Sequence, residues 1–173
     1  MNKPTMDALL MSGVGDTYTG MVHRFMSVMG QLATPPSQLT QQQWEDLVDF
    51  RKRLIEEEIT KELLPAMDRL KFSQSLENQA EVLDGICDGV YVLLGAALAF
   101  RLPAHAGFLE VQRSNMAKLQ PDGSVLRRED GKVLKPEGWT PPDLLGVLMY
   151  YHEHLGEHQY RNGLRHHGPV DGK

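Results

Sequence analysis

The sequence predicts an all-α fold, a bundle of four to five helices within a single domain. Three observations lead there. Apolar side chains recur three and four residues apart over most of the stretch from about 15 to 155, the period of an α-helix. Helix start and stop signals punctuate those stretches. Strand-like alternation is scarce, leaving room only for a small hairpin or loop insertion near residues 120–138. At 173 residues the chain is long enough for one domain with a real core.

The elements follow in order. Residues 1–14 are polar and glycine-containing and read as a loose lead-in. Met21, Phe25, Val28 and Met29 place a first helix over Asp16–Gln31, which Pro35 and Pro36 bring to an end. Thr40 with Gln43 three residues on is a capping-box pattern that starts a long second helix. Pro65 should kink or shorten it. Projected at about 100° per residue, Trp44, Leu47, Val48, Leu54 and Ile55 share its inward side. A polar connection near Ser73–Gln79 leads into a third helix that runs to Phe100. This helix contains Gly85, Gly89 and Gly95. Each glycine costs about 1 kcal/mol relative to alanine, and close approach of a neighbouring helix is the simplest reason for keeping three. Val82, Ile86, Val90, Leu93 and Ala97 form an adequate core stripe on its other side, with Cys87 as a packed core thiol. Pro103 opens a fourth helix, His105–Leu119. Asp122-Gly123 and Asp130-Gly131 are turn signals. Thr140 and Pro141 then start a last helix, Asp143–Leu155, and a polar tail follows.

Composition narrows the function classes. A net charge of -5 argues against a nucleic-acid-coating protein. Ala8–Met11 is interrupted at once by Ser12 and Gly13, so nothing resembles a signal peptide. The longest apolar run, Val90–Phe100, is too short to span a bilayer. Cys87 is the only cysteine, which excludes an internal disulfide and a multi-cysteine zinc site. The expectation is a soluble protein of a reducing cytoplasm, without nucleic-acid or membrane partners.

The chemistry-bearing residues are acidic. Arg51–Leu70 carries Glu56, Glu57, Glu58 and Glu62; Leu76–Phe100 carries Glu81, Asp84 and Asp88. In helical projection Glu58 and Glu62 fall within the inward stripe, Glu57 at its edge and Glu56 away from it. Glu81, Asp84 and Asp88 fall within about 60° of one another. One turn later that side continues as Val92, Gly95 and Ala99. Inward carboxylates need a cation, a proton or a water-filled cleft. The plainer alternative is a solvated acidic face. Arg113, Asn115 and Lys118 on the fourth helix are candidates for phosphate contact, and Lys132, Lys135 and Trp139 for folding over a ligand.

Four segments carry a resemblance: Leu54–Glu58, Asp84–Gly95, Glu110–Leu119 and Asp130–Pro136. In this order they resemble the all-α nucleoside triphosphate pyrophosphohydrolase superfamily, the MazG-like and phosphoribosyl-ATP pyrophosphohydrolase-like group, over roughly residues 20–145. The resemblance implies hydrolysis of a nucleoside triphosphate between its α- and β-phosphates. It also implies a dimer or tetramer of identical chains, and a bacterial or phage-infected cytoplasm as the setting. It implies two or more Mg²⁺ or Mn²⁺ ions held by Glu-Glu-x-x-Glu on one helix and Glu-x-x-Asp on the next. Glu57 and Glu58 match the first pair, but Lys61 stands where the third glutamate is expected, with Glu62 beside it. Asp88 matches the aspartate, but Gly85 occupies the glutamate position; Glu81 and Asp84 spell the motif one turn earlier. The ligand set carried over is Glu57, Glu58, Glu62, Glu81, Asp84 and Asp88, with Glu57 and Glu58 catalytic. Arg113, Asn115, Lys118, Lys132 and Lys135 would hold phosphates, and His23 and Phe25 would border the base. The substrate implied is a deoxynucleotide, either a purine dNTP such as dATP or dGTP, or dUTP or dCTP.

Rivals remain. The alternative substrate is phosphoribosyl-ATP, and the non-enzyme alternative is a nucleotide-binding bundle without catalysis, which Lys61 and Gly85 favour. His154 and His158, four apart near the end, form a possible zinc pair, but no His-Glu-x-x-His accompanies them. No Gly-x-x-x-x-Gly-Lys phosphate loop is present.

Overall fold

The computed structural model describes residues 17–120 and 122–154. The chain divides into two compact units, the first ending at Leu102 and the second beginning at Pro103. The protein is all-α, and no strand occurs among the described residues.

In the first unit, α1 spans Tyr18–Val28 and is capped by the Thr17 hydroxyl, which accepts from Gly20 N. It is shorter than the stretch read from the sequence, because the chain leaves the helix at Met29 and turns through Gly30, whose φ is +70°. α2 spans Gln41–Ile55 and opens with the expected capping box between Thr40 and Gln43. It continues without a break into a π-helical segment, Glu56–Leu63, and then α3, Leu64–Leu70. The spacing predicts an α-helix here, kinked or shortened at Pro65, and no π turns. Pro65 accounts for the difference: it cannot donate to the Lys61 carbonyl, and its ring crowds it. The preceding turns widen, and Leu64 N bonds back five residues to Ile59 O. α4, Leu76–Ala99, is capped by Ser75 and closes with Arg101 at φ 58°. By length and composition alone this helix could cross a membrane; here its glycine face is packed against protein.

That packing corrects the predicted core. Gly85, Gly89, Gly95, Ala96, Leu98 and Ala99 are the buried residues of α4. Ile86, Val90 and Leu93, expected inside, are exposed, and so is Cys87. Helix periodicity identifies an apolar stripe; it does not say whether the same chain covers it.

Arg51 is the deepest charged group, 4 % exposed. Its Nη2 donates to Gln31 Oε1 at 3.0 Å, Nε has no partner among the described residues, and burial lowers its pKa. A buried guanidinium so lightly satisfied is a net cost. Gln31 is exposed and can bond to water instead. Arg51→Met, which keeps the stem volume, is therefore expected to raise the unfolding free energy by about 1–2 kcal/mol. Thermal melts against wild type check this; a lower midpoint would show that the cation stabilises the fold.

In the second unit, α5 spans Ala104–Met116 and α6 spans Leu144–His154. Between them a small hairpin forms as expected. Arg127 and Val133 pair, Arg128 N bonds Lys132 O and Leu134 N bonds Leu126 O, both at 2.8 Å. Gly131 supplies the positive φ, 84°, that its turn requires. Trp139 Nε1 donates to Ser114 O at 2.8 Å, and Ser114 Oγ donates to Thr140 O at 3.1 Å, pinning the approach to α6. The predicted lead-in, the polar tail and the side chains of His154 and His158 lie outside the described residues.

Candidate active site

The site arises where the π segment meets α4. A Cβ added at Gly89 would lie 3.5 Å from Ile59 Cγ1, and one at Gly85 would lie 3.0 Å from both Cα and Cβ of Leu63. Residue 59 meets 89 and residue 63 meets 85, so the two helices run antiparallel. Each contact residue is preceded by a carboxylate: Glu58, Glu62, Asp84 and Asp88. One step back along either of two antiparallel helices turns toward the same flank of their seam. The four acids therefore form two rungs on one flank, Glu58 with Asp88 and Glu62 with Asp84.

The electrostatics agree. The Glu58 carboxyl is held above its usual range, first by burial and then by the charges of Glu62, Asp88, Glu57 and Asp84. Glu56 is not among these neighbours, as the sequence projection expected. Downstream the flank is closed by α1: Gly95 faces Arg51, Met26 and Val22. Glycines at the seam bring the backbones together, so carboxylates from different helices share one groove.

Glu81 is engaged differently. Arg69 Nη2 lies 2.6 Å and Nε 2.8 Å from its Oε2. The pair lines a cavity of about 220 Å³ together with Lys61, Glu62, Asp84, Ala66 and Gly85. Among the described residues no group of three or more His, Cys, Asp or Glu side chains is placed to hold a metal ion by itself. Mg²⁺ needs none: it keeps several waters and is bound by one or two carboxylates plus substrate phosphates. All-oxygen donors arranged in pairs, mutually repelling and open on one side, fit that ion.

The two base-contact candidates part company. Phe25 packs edge-on against Tyr91, ring centroids 5.7 Å apart, and Tyr91 is three residues beyond Asp88 on α4. Phe25 also borders a groove of about 340 Å³ with Met21, Arg24 and Val28. His23, two residues away and so on the other side of α1, is half-buried, and its ring nitrogen lies 3.5 Å from Ser27 Oγ. Burial and the charge of Arg101 lower its pKa.

The remaining candidates belong to the second unit, where several have local partners. Arg113 binds Glu110 through Nε and Nη2 at 2.8 and 2.7 Å. Lys118 donates to Asn115 Oδ1 at 2.7 Å. The Lys135 ammonium lies 3.7 Å from the centroid of the Trp139 ring. Lys132 N donates to Asp130 Oδ1 within the hairpin.

Glu110 also accepts from Asp143 N, and with Arg113 this lowers its pKa to about 2. A depressed carboxyl contributes stability that is complete above its ordinary value of 4.5 and is lost as pH falls toward about 2. Wild type is expected to lose thermal stability through that window more steeply than Glu110→Gln. Parallel profiles would show that another group controls the acid limb.

Sequence reasoning missed Arg51, Arg69 and Tyr91. Arg51 follows Leu47 by four residues and Trp44 by seven, so its inward position was signalled. Nothing local joins Arg69 to Glu81 or Tyr91 to Phe25, which are contacts across helices.

A family model described as phosphoribosyl-ATP pyrophosphohydrolase matches residues 22–115, a span that includes both acid-bearing segments. No curated protein matches the chain.

Proposed function

From the premise that the chain belongs to the phosphoribosyl-ATP pyrophosphohydrolase family, within the MazG-like all-α superfamily, and so is a nucleotide pyrophosphohydrolase, we propose that it hydrolyses a deoxynucleoside triphosphate, a purine dNTP or dUTP or dCTP, to the monophosphate and pyrophosphate. The observation that carries this reading is the pair of carboxylate rungs across the glycine seam.

In this mechanism Glu58 and Asp88, with Glu57 beside them and Glu62 and Asp84 one turn along the groove, would hold Mg²⁺ or Mn²⁺. When bound, the metal neutralises phosphate oxygens and lowers the pKa of the attacking water. Glu57, at the groove's edge, takes a proton from that water as it attacks phosphorus. The P–O bond between the α- and β-phosphates breaks, and pyrophosphate leaves with the bond's electron pair. Phe25 and Tyr91 offer an aromatic border for the base, beside Asp88.

The exposed stripe of Leu83, Ile86, Val90 and Leu93 supports assembly as a homodimer or homotetramer, because a large apolar patch of this kind favours a protein partner. A cytoplasmic setting completes the proposal.

A second reading takes phosphoribosyl-ATP as substrate, and the family match is the observation in its favour. The test is pyrophosphate release from a panel of NTPs, dNTPs and phosphoribosyl-ATP with Mg²⁺ or Mn²⁺, with products separated by chromatography. Release from one or two dNTPs supports the first reading, and release from phosphoribosyl-ATP alone supports the second. Metal-dependent nucleotide binding without release from any of them would leave a non-catalytic binder.

A further inference from the structure

The two rungs differ in charge. Beside Glu58 and Asp88 stands Glu57, a third acid. Beside Glu62 and Asp84, in the cavity of about 220 Å³, stand Lys61, Arg69 and Glu81. Arg69 is committed to Glu81 at 2.6 Å, so that carboxylate and that guanidinium offset each other. Lys61 is the other cation lining the cavity with Glu62 and Asp84. It forms no ion pair among the described residues. It lies within the π segment, between the Ile59 and Leu63 contacts, and is exposed.

We propose that Lys61 is a built-in cation of the groove: it holds the Glu62–Asp84 rung against a divalent ion and donates to the pyrophosphate end of the substrate. This rests on the reading under Proposed function and deepens it. A lysine ammonium is a compact charge with three donors on a flexible stem, suited to meeting phosphate oxygens as a point charge. A divalent ion at the same rung would be repelled by it. At the Glu58–Asp88 rung, where Glu57 adds negative charge, a divalent ion meets no such cation. On this proposal the groove takes a single metal ion rather than two or more, and Lys61 supplies the positive charge of the other.

The experiment is Mn²⁺ titration of the full chain, with free Mn²⁺ counted by electron paramagnetic resonance, followed by binding of inorganic pyrophosphate to the Mn²⁺-loaded protein. Wild type and Lys61→Arg are expected to bind one Mn²⁺ per chain, and Lys61→Gln two. Compared at one bound Mn²⁺ per chain, pyrophosphate affinity should fall about tenfold in Lys61→Gln and change less than about threefold in Lys61→Arg. Two Mn²⁺ ions on wild type, a single ion on Lys61→Gln, or unchanged pyrophosphate affinity in Lys61→Gln would each overturn the role of Lys61 while leaving the metal-dependent reading intact. No Mn²⁺ binding by wild type would overturn both together. Because Lys61 is exposed, the substitutions leave the packed seam unaltered.

Discussion

Glu58→Gln is expected to lower pyrophosphate release by about 10²–10³-fold while leaving the helical fold in place. The argument is electrostatic. Glu58 is the carboxylate that feels all four neighbours, Glu62, Asp88, Glu57 and Asp84, and its ionised form is disfavoured in the metal-free groove. Glutamine keeps the shape and removes the charge. The protein therefore loses a donor to the metal and also loses a repulsion. Two opposite outcomes should appear in one variant: turnover collapses, and the metal-free thermal midpoint stays the same or rises. Asp88→Asn, on the facing helix, should behave alike. Glu56→Gln is the control, because Glu56 is not among the groups that act on Glu58, and its turnover should stay within about twofold of wild type. Loss of activity together with unfolding would assign Glu58 a structural role. A loss in Glu56→Gln as deep as in Glu58→Gln would place the wrong face of the π segment in the groove.

The acid pairs were legible because both helices announce them locally. Glu58 and Glu62 lie four residues apart, as do Asp84 and Asp88, so each pair shares a face in any helical projection. The glycines one residue after each aspartate were legible as a close approach, and the hairpin was legible from Asp130-Gly131. Three things were hidden. The π turns depend on how the chain relieves Pro65, which periodicity does not encode. The partner of each glycine depends on helix pairing, so Ile59 and Leu63 had no signal as seam residues. The exposed stripe of Ile86, Val90 and Leu93 has the same periodicity as a core, and helical spacing alone does not distinguish an exposed apolar stripe from a covered one. The ion pair of Arg113 was hidden in another way: a basic side chain on a helix end does not say by itself that Glu110, three residues earlier, holds it.

The seam itself yields the second large effect. Gly85 and Gly89 look equivalent in the sequence, and alanine at either gains about 1 kcal/mol of helix propensity. The surroundings decide the sign. At Gly89 the added Cβ would lie 3.5 Å from Ile59 Cγ1, an ordinary contact with a side chain, so Gly89→Ala is expected to stabilise by about 0.5–1 kcal/mol. At Gly85 the same Cβ would lie 3.0 Å from the Cα of Leu63. Backbone cannot rotate aside, so the helices must part, at an overpacking cost of about 1–3 kcal/mol that outweighs the propensity gain. Gly85→Ala should therefore be destabilising overall, and Gly85→Val, with two further methyl groups at the contact, should lose about 3 kcal/mol. The movement falls between Glu62 and Asp84, so Gly85→Ala should also weaken Mn²⁺-dependent turnover in protein that remains folded. Chemical denaturation of the two alanine variants side by side reads the contrast. Equal effects of either sign would mean that the π segment does not approach α4 more closely at Leu63 than at Ile59, and the asymmetry of the groove would go with it.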